Sequence, residues 1–510
     1  MLEGILLGLN TALSLEGLLY LVLGCLAGTF VGMLPGLGPM TAIALMIPIA
    51  SALEPAVGII LMAAVYYGAI FGGSTASILI NAPGVASTVA TSFDGYPMAQ
   101  SGRAGKALAI AALASFGGGV IAAGLLMLAA PSLALVSLSF QSSDYFALML
   151  LGLVSVAAFT GSGSLLKALL MTILGLMLST VGTDPTQGLA RFTLGQVDLI
   201  DGISFLLLVM ATFALAEALL AIVRPDQQTA AQFNTPAASQ HLGSLAVSRP
   251  ELRQLTPVVG RSSVLGFLIG LLPGAGATIA SFLAYGSEQR LAPKREQARF
   301  GHGSARGLAA PEAANNAAAT GSFVPLLTLG IPGSGTTAIL LGALIAYGVQ
   351  PGPLLYVNAP DIFWAVIISM WLGNLILLML NLPLIPYIAR LMAVPARFLL
   401  PLIVFLSLTG VYLVSFNTFD IQMMVGFAFA AVIFRLLDFP MAPLILGFIL
   451  GGLIEENLSR ALLIHDQSWS FLWQRPQTLA ISCLALLVLI APALRNGLRD
   501  RHFMRKRDVD

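Results

Sequence analysis

Charge is scarce in this chain: Asp, Glu, Lys and Arg make up only 9% of 510 residues, whereas 57% are hydrophobic. A chain that long and that apolar cannot maintain a water-soluble surface. Cysteine is nearly missing too. Cys25 and Cys483 lie in apolar segments far apart, which leaves no disulfide or metal framework and marks each as a small packing residue. A net charge of +1, without basic residues interleaved among exposed aromatics, gives no basis for nucleic-acid binding. Met1-Leu2-Glu3 carries no basic run ahead of an apolar core, so no cleavable leader is expected and the first spans direct insertion.

Signatures of catalysis are absent as well. The nearest approach to a phosphate loop, Gly161-Ser162-Gly163-Ser164-Leu165-Leu166-Lys167, has Leu166 where a glycine is required, which removes the nucleotide site that an ATP-driven pump needs. His241, His302, His465 and His502 fall outside the apolar segments, no His-Glu-x-x-His run exists, and no two acids sit at matching depth. Neither an enzyme nor a catalytic residue is expected.

What is present is a series of apolar stretches about long enough to span a bilayer: 18–34, 56–71, 107–130, 145–159, 165–181, 203–223, 258–272, 362–380, 399–414, 421–434, 441–454 and 478–494. Their continuity predicts an all-α polytopic membrane protein with about 12 transmembrane helices plus re-entrant or discontinuous ones, since barrel strands would alternate in short segments.

A helix-breaking run occurs twice. Gly28-Thr29-Phe30-Val31-Gly32-Met33-Leu34-Pro35-Gly36-Leu37-Gly38 matches Gly266-Phe267-Leu268-Ile269-Gly270-Leu271-Leu272-Pro273-Gly274-Ala275-Gly276 in register at a spacing of 238. Proline removes a backbone donor and glycine permits non-helical angles, so both runs should unwind. Unwound backbone at membrane depth survives only where it is buried in protein or lines a cavity. A second interrupted motif follows each: Gly72-Gly73-Ser74-Thr75 through Asn81-Ala82-Pro83-Gly84, with Ser87 and Thr88, and Gly321-Ser322-Phe323-Val324 through Gly330-Ile331-Pro332-Gly333, with Ser334, Thr336 and Thr337. These align at a spacing of 249.

Charge sign inverts between the halves. The basic tail Arg495, Arg499, Arg501, Arg505, Lys506 and Arg507 places the C-terminus in the cytoplasm, and counting back puts Arg435, Arg390 and Arg397 inside and Glu455, Glu456, Asp420 and Asp361 outside, with Arg460 and Arg475 as exceptions. The short acidic loop at Glu54 corresponds to the basic loop with Arg290, Lys294, Arg295, Arg299 and Arg306, and Arg103 and Lys106 correspond to a loop without basic residues. Inverted-topology repeats predict this pattern; chance scatter of a few charges is the alternative. The expected organisation is a first repeat at 1–223, a cytoplasmic linker at 224–256, a second repeat at 257–436, and C-terminal helices with the tail at 437–510. Each Pro-Gly break is the tip of a re-entrant hairpin or the midpoint of two packed spans, and the shortness of the segment after Pro35 favours the hairpin.

Neither motif contains Lys or Arg, so helix termini must recognise an anion if one binds there. The candidate substrate residues are Pro35, Gly36, Gly38, Ser74, Thr75, Asn81, Pro83, Gly84, Ser87, Thr88, Pro273, Gly274, Gly276, Asn315, Asn316, Pro332, Gly333, Ser334, Thr336 and Thr337. Small residues also serve helix packing in membranes, and the three asparagines serve either a site or interhelical hydrogen bonds. Free oxygens near Leu34, Asn81, Leu272 and Asn315 suit a sodium ion, slightly favoured over a proton. Glu312 is the candidate for proton coupling, while Glu217 is expected to snorkel from the end of its span.

This motif set resembles the large permease subunit (TctA-type) of the tripartite tricarboxylate transporters. The likeness rests on the doubled Pro-Gly breaks, on Tyr67-Gly68-Ala69-Ile70-Phe71-Gly72-Gly73-Ser74, on Phe93-Asp94-Gly95-Tyr96-Pro97-Met98 with Gly102-Arg103-Ala104-Gly105-Lys106, and on Pro311-Glu312-Ala313-Ala314-Asn315-Asn316 with Gly330-Ile331-Pro332-Gly333. The resemblance spans roughly residues 15–440. It implies a carboxylate permease of the bacterial inner membrane, driven by an ion gradient and working with a small four-helix membrane subunit and a periplasmic solute-binding protein that selects the solute. The alternative is a single-component carrier or channel for small anions.

Overall fold

The computed structural model describes residues 2–34, 37–159, 165–184, 188–223, 243–274, 276–384, 387 and 396–490. Among them, strand structure is confined to a two-residue pairing of Gly182–Thr183 with Ala190–Arg191. Seven of the described helices are long and apolar enough to cross a membrane, and shorter apolar helices accompany them. The chain is an all-α multi-pass membrane protein, the architecture in which every backbone group is satisfied within its own segment.

The chain forms two compact units, Met1–Ser137 with Ser204–Ile433, and Leu138–Ile203 with Phe434–Asp510. Both copies of both repeated motifs lie in the first. Its first half contains α1 (Leu15–Gly32), α2 (Gly38–Ala50), α3 (Pro55–Ile80), α4 (Val89–Met98) and α5 (Ala104–Ser137). The second half contains α6 (Arg249–Gly270), α7 (Gly276–Leu291), α8 (Ala305–Gly321), α9 (Phe323–Leu329), α10 (Gly335–Ala346) and α11 (Pro360–Asn381). Helix α6 starts at Arg249, inside the stretch read from sequence as a linker; residues 224–242 of that stretch, like Pro35, Gly36, Arg390 and the basic tail, fall outside the described residues.

Glycine dictates how each half packs. A Cβ on Gly28 would stand 2.2 Å from the Val65 carbonyl oxygen, and one on Gly32 2.1 Å from that of Ala69. In the second half, Gly266 and Gly270 bear on the Ala314 and Ala318 oxygens at 2.3 Å each. Helices α1 and α3 therefore touch backbone to backbone, as α6 and α8 do, at positions in register at the two motif spacings. Contacts advance in the same direction along both partners, so α1 runs parallel to α3 and α6 to α8. The intervening α2 and α7 must return the chain, and each break is the tip of a helical hairpin.

The two halves relate differently. Ser74 on α3 meets Glu312 on α8, while two turns earlier on α3 Tyr66 stacks on, and Tyr67 tilts against, Phe323 beyond the end of α8, with ring centroids 6.1 and 5.8 Å away. Helices α3 and α8 are sequence equivalents, yet they run antiparallel.

Loop charges find internal partners. Asp94 Oδ1 accepts the backbone N–H groups of Gly301, Gly303 and Ser304 at 3.0, 2.9 and 2.7 Å, which ties the Phe-Asp-Gly motif of the first half to the start of α8. Gly301 and Gly303 have φ of 82° and 94°, so the loop that presents those donors needs glycine. Buried Glu288 is bridged by Arg261 and Arg306. In the second unit, Arg475 pairs with buried Asp144 at 2.9 Å and Arg460 with Glu456 at 2.5 Å. The two arginines that break the inside-positive alternation are thus each neutralised by an acid. Glu217 does not snorkel as expected: it is only 5% exposed, because the helix carrying it is packed on most of its surface.

Candidate functional site

Each hairpin tip is closed by the interruption that follows its long helix. In the second half the Gly274 N–H donates to the Gly333 carbonyl oxygen at 3.0 Å, and in the first a Cβ on Gly84 would stand 1.9 Å from the Gly32 oxygen. Gly38 and Gly276, equivalent positions, restart their helices with φ of 64° and 59°. Gly274 has φ 80°. These left-handed angles explain why the runs carry glycine after proline. Pro273 and Leu272 sit at the second tip, with Leu272 exposed. Leu34 is buried, and its carbonyl accepts from Leu37 N–H at 3.3 Å.

Several polar candidates serve their own helix ends. Asn81 terminates α3 in the left-handed region (φ 53°) and is exposed; its equivalent Gly330 terminates α9 in the same way (φ 69°). Asn81 thus has a backbone role that Gly330 also fills, since asparagine is among the few residues to accept that conformation readily. Ser334 and Thr337 form a reciprocal cap on α10, Ser334 N–H donating to Thr337 Oγ1 at 2.8 Å and Thr337 N–H to Ser334 Oγ at 3.2 Å. Thr88 accepts from Ser77 at 2.8 Å and donates to the Val85 oxygen at 2.9 Å. Ser87 is buried one residue before it, and Pro83 stands part-buried in the preceding loop.

The halves also reach into one another. The Tyr66 hydroxyl of the first half lies against those of Ser322, Ser334 and Thr336 in the second. Helix α2 packs on α10, and reciprocally α7 packs on the turn at Ala86–Thr88. Buried Pro332 and Gly333 hold the loop between. The cap takes up the Thr337 donor, so the Gly335 and Thr336 amides are the first-turn donors of α10 that neither the helix nor its cap pairs, beside the tyrosine.

The most distinctive group is Glu312. It is fully buried on α8, and the hydroxyls of three first-half residues donate to its carboxylate: Ser74 at 2.8 Å to both oxygens, Ser115 at 2.7 Å, and Thr91. No lysine or arginine pairs with it among the described residues. Hydroxyl donors to an otherwise unpaired buried carboxylate replace part of its lost hydration, and a group that costly at membrane depth marks function before structure. One turn on, Asn316 donates to the Glu312 carbonyl at 3.1 Å and to Asn315 Oδ1 at 2.8 Å, while the buried Asn315 Nδ2 has no hydrogen-bond partner. Ser74 and Ser115, with Thr75 and Asn381, also line a cavity of about 10 Å³.

Residues 18–446 match the family model described as the tripartite tricarboxylate transporter TctA family. The chain belongs to that family. Over 501 residues, 98% of each chain, it is 42% identical to an uncharacterized 52.8 kDa protein in the TAR-I ttuC' 3' region of Agrobacterium vitis. To an uncharacterized protein in the TAR-II ttuC' 3' region of the same organism it is 40% identical over 242 residues, 47% of this chain and 99% of that one. No solved structure matches.

Of the residues singled out from sequence, Ser74 donates to Glu312, and Thr75 lines the cavity beside Ser74. Thr91, Ser115, Tyr66 and Asn381 were not anticipated. Tyr66 immediately precedes a motif string already singled out, and Thr91 begins the run that ends in Phe93-Asp94-Gly95; proximity to those strings is the signal that points to them.

Proposed function

We propose that the chain is the permease subunit of a binding-protein-dependent secondary transporter, importing tricarboxylates or related carboxylates by alternating access under a cation gradient. It would sit in the bacterial inner membrane with a cytoplasmic C-terminus, beside a small four-helix membrane subunit, and receive its solute from a periplasmic binding protein. Residues 1–223 and 257–436 act as inverted repeats joined by the cytoplasmic segment 224–256, and residues 437–510 supply C-terminal helices and the basic tail. One observation carries the proposal: two glycine-packed hairpins, in register in sequence, belong to long helices that run in opposite directions. Carriers built this way hold substrate where the broken helices of the two repeats meet.

The substrate carboxylates are read by the first-turn amides of α2, α7 and α10, the helices that restart after the breaks, with the Tyr66, Ser322 and Thr336 hydroxyls beside those of α10. A partly buried helix terminus contributes up to about 2 kcal/mol to an anion, so several are needed to offset desolvation. Glu312 is the coupling group, because it alone carries negative charge in the hydroxyl cage.

Gly274→Leu tests the site. With φ at 80° and its N–H bound to Gly333, a bulky side chain there distorts the tip. Carboxylate uptake by cells expressing all three components should fall to background while the variant reaches the membrane at wild-type level. Wild-type uptake by a correctly inserted Gly274→Leu protein would refute the assignment, and wild-type uptake without the binding protein would favour a single-component carrier.

A further inference from the structure

Next to the Ser74 and Ser115 hydroxyls that hold Glu312 lies a small cavity. Its walls are apolar except at four residues, Ser74 and Thr75 on α3, Ser115 on α5, and Asn381 at the end of α11. Two of these, Ser74 and Ser115, donate their hydroxyl hydrogens to Glu312. An oxygen that gives its hydrogen to a carboxylate keeps its lone pairs for the other side and is polarised negative by the charge behind it. Asn381 supplies the independent sign. Its residue is 2% exposed and its Nδ2 is spent on the Leu377 oxygen at 3.0 Å, but Oδ1 is buried without any hydrogen-bond partner. A buried carbonyl oxygen left without a partner, on a residue that lines the cavity, needs a donor or a cation.

We infer that this cavity binds one sodium ion, held by the neutral oxygens of Ser74, Thr75, Ser115 and Asn381 and balanced by the Glu312 carboxylate behind the two serines. A volume of about 10 Å³ admits a single particle of about water's size. The donor set is all oxygen, which suits a hard cation, and its one carboxylate balances a single positive charge. A divalent ion of this class requires six to eight oxygens or a retained water shell, for which the space is too small. A proton would occupy Glu312 itself and leave Asn381 Oδ1 without purpose. The site is built from both halves, with hydroxyls from the first and the acid and amide from the second. Occupancy therefore depends on how the halves are packed. That coupling role rests on the carrier proposal, whereas the binding does not.

The test is the thermal unfolding midpoint of the full-length chain in detergent, purified with any membrane subunit that remains bound, as NaCl replaces choline chloride at constant ionic strength. Wild-type protein should show a saturable rise with sodium and none with choline, as expected for a ligand that binds only the folded state. Asn381→Ala and Ser115→Ala should each weaken the apparent sodium affinity at least tenfold, and Glu312→Gln should remove the response. Ser115→Ala is the milder change and gives the same reading if Asn381→Ala does not fold. No sodium-specific stabilisation in the wild type, or undiminished affinity in both oxygen variants, overturns the inference. Stabilisation that follows pH alone and ignores sodium overturns it in favour of a proton on Glu312. Intact sodium binding without sodium-driven carboxylate uptake would instead remove the carrier role and leave the ion site standing.

Discussion

The two halves of the first unit share their backbone and differ in their chemistry. Glycines at 28 and 32 and at 266 and 270 bring the same helices to the same closeness, and Asn81 and Gly330 end equivalent helices with the same left-handed turn. The acid, however, is on one side only. At the spacing of 249, Glu312 falls on Ala63, Ser74 on Phe323, Thr91 on Leu340 and Tyr66 on Asn315. One half supplies the carboxylate and the other the hydroxyls that make it tolerable. Symmetry thus lives at the level of packing, and function begins where the side chains depart from it.

The sharpest way to break the comparison is to place the acid in the wrong half. Ala63 is fully buried, and the equivalents of two of Glu312's donors, Phe323 and Leu340, offer no hydroxyl. Ala63→Glu should therefore cost about 3 kcal/mol or more in folded stability, because the carboxylate is buried without compensation. The measurement is the fraction of monodisperse protein after detergent extraction. A variant as well folded as the wild type would mean that the halves are chemically interchangeable.

Next in size is a test of the part that is shared. Gly32→Leu and Gly270→Leu each drive a side chain into a facing carbonyl oxygen, from Ala69 and Ala318 respectively. Overpacking of this kind costs about 1–3 kcal/mol, and the two variants should lower the unfolding midpoint by similar amounts. A large effect in one half with none in the other would show that the packing equivalence is only apparent in the backbone.

A smaller effect separates a cap from a ligand at Asn81. Asn81→Gly keeps the left-handed turn and should leave both stability and uptake close to wild type, whereas Gly330→Ala forces a Cβ into that conformation at a cost of about 1 kcal/mol. Loss of uptake in a stable Asn81→Gly protein would return Asn81 to the substrate site.

How far the sequence discloses these features depends on the range of the forces involved. The hairpins are legible because proline and glycine act within a turn, and because the same run appears twice in register. Glu312 stands out because an acid beside an apolar span is expensive wherever it packs. Its donors do not stand out: they lie 197, 221 and 238 residues away, on three different helices, among many hydroxyls that only satisfy their own backbone. Asn81 draws attention for its polarity, yet what it supplies is a backbone angle, visible in sequence only by comparison with Gly330. Glu217 misleads for a related reason, since position along a span does not reveal whether neighbouring helices cover its end.

The smallest expected effect contrasts Glu312 with an acid that has a cation beside it. Lys106 contacts Glu251 at the start of α6 and, together with the Ser248 N–H and hydroxyl, holds the Glu251 carboxyl down at about 2, against an ordinary value of 4.5. A folded-state value below the unfolded one contributes stability above pH 4.5, and that contribution fades as pH falls from there toward 2. Both side chains are about a third exposed, at 28% and 32%, so solvent screens the pair and its worth stays under about 1 kcal/mol. Glu251→Gln should therefore lower the unfolding midpoint only slightly at pH 7, with the gap from wild type closing as the solution is acidified and narrowing in high salt. Glu312→Gln, which alters a carboxylate that solvent does not reach, should show no comparable narrowing with salt. An Glu251→Gln deficit as large and as salt-resistant as one at a buried acid would mean that the contact between α6 and the first half is sealed from water, and that this end of the molecule is not the exposed surface its charges describe.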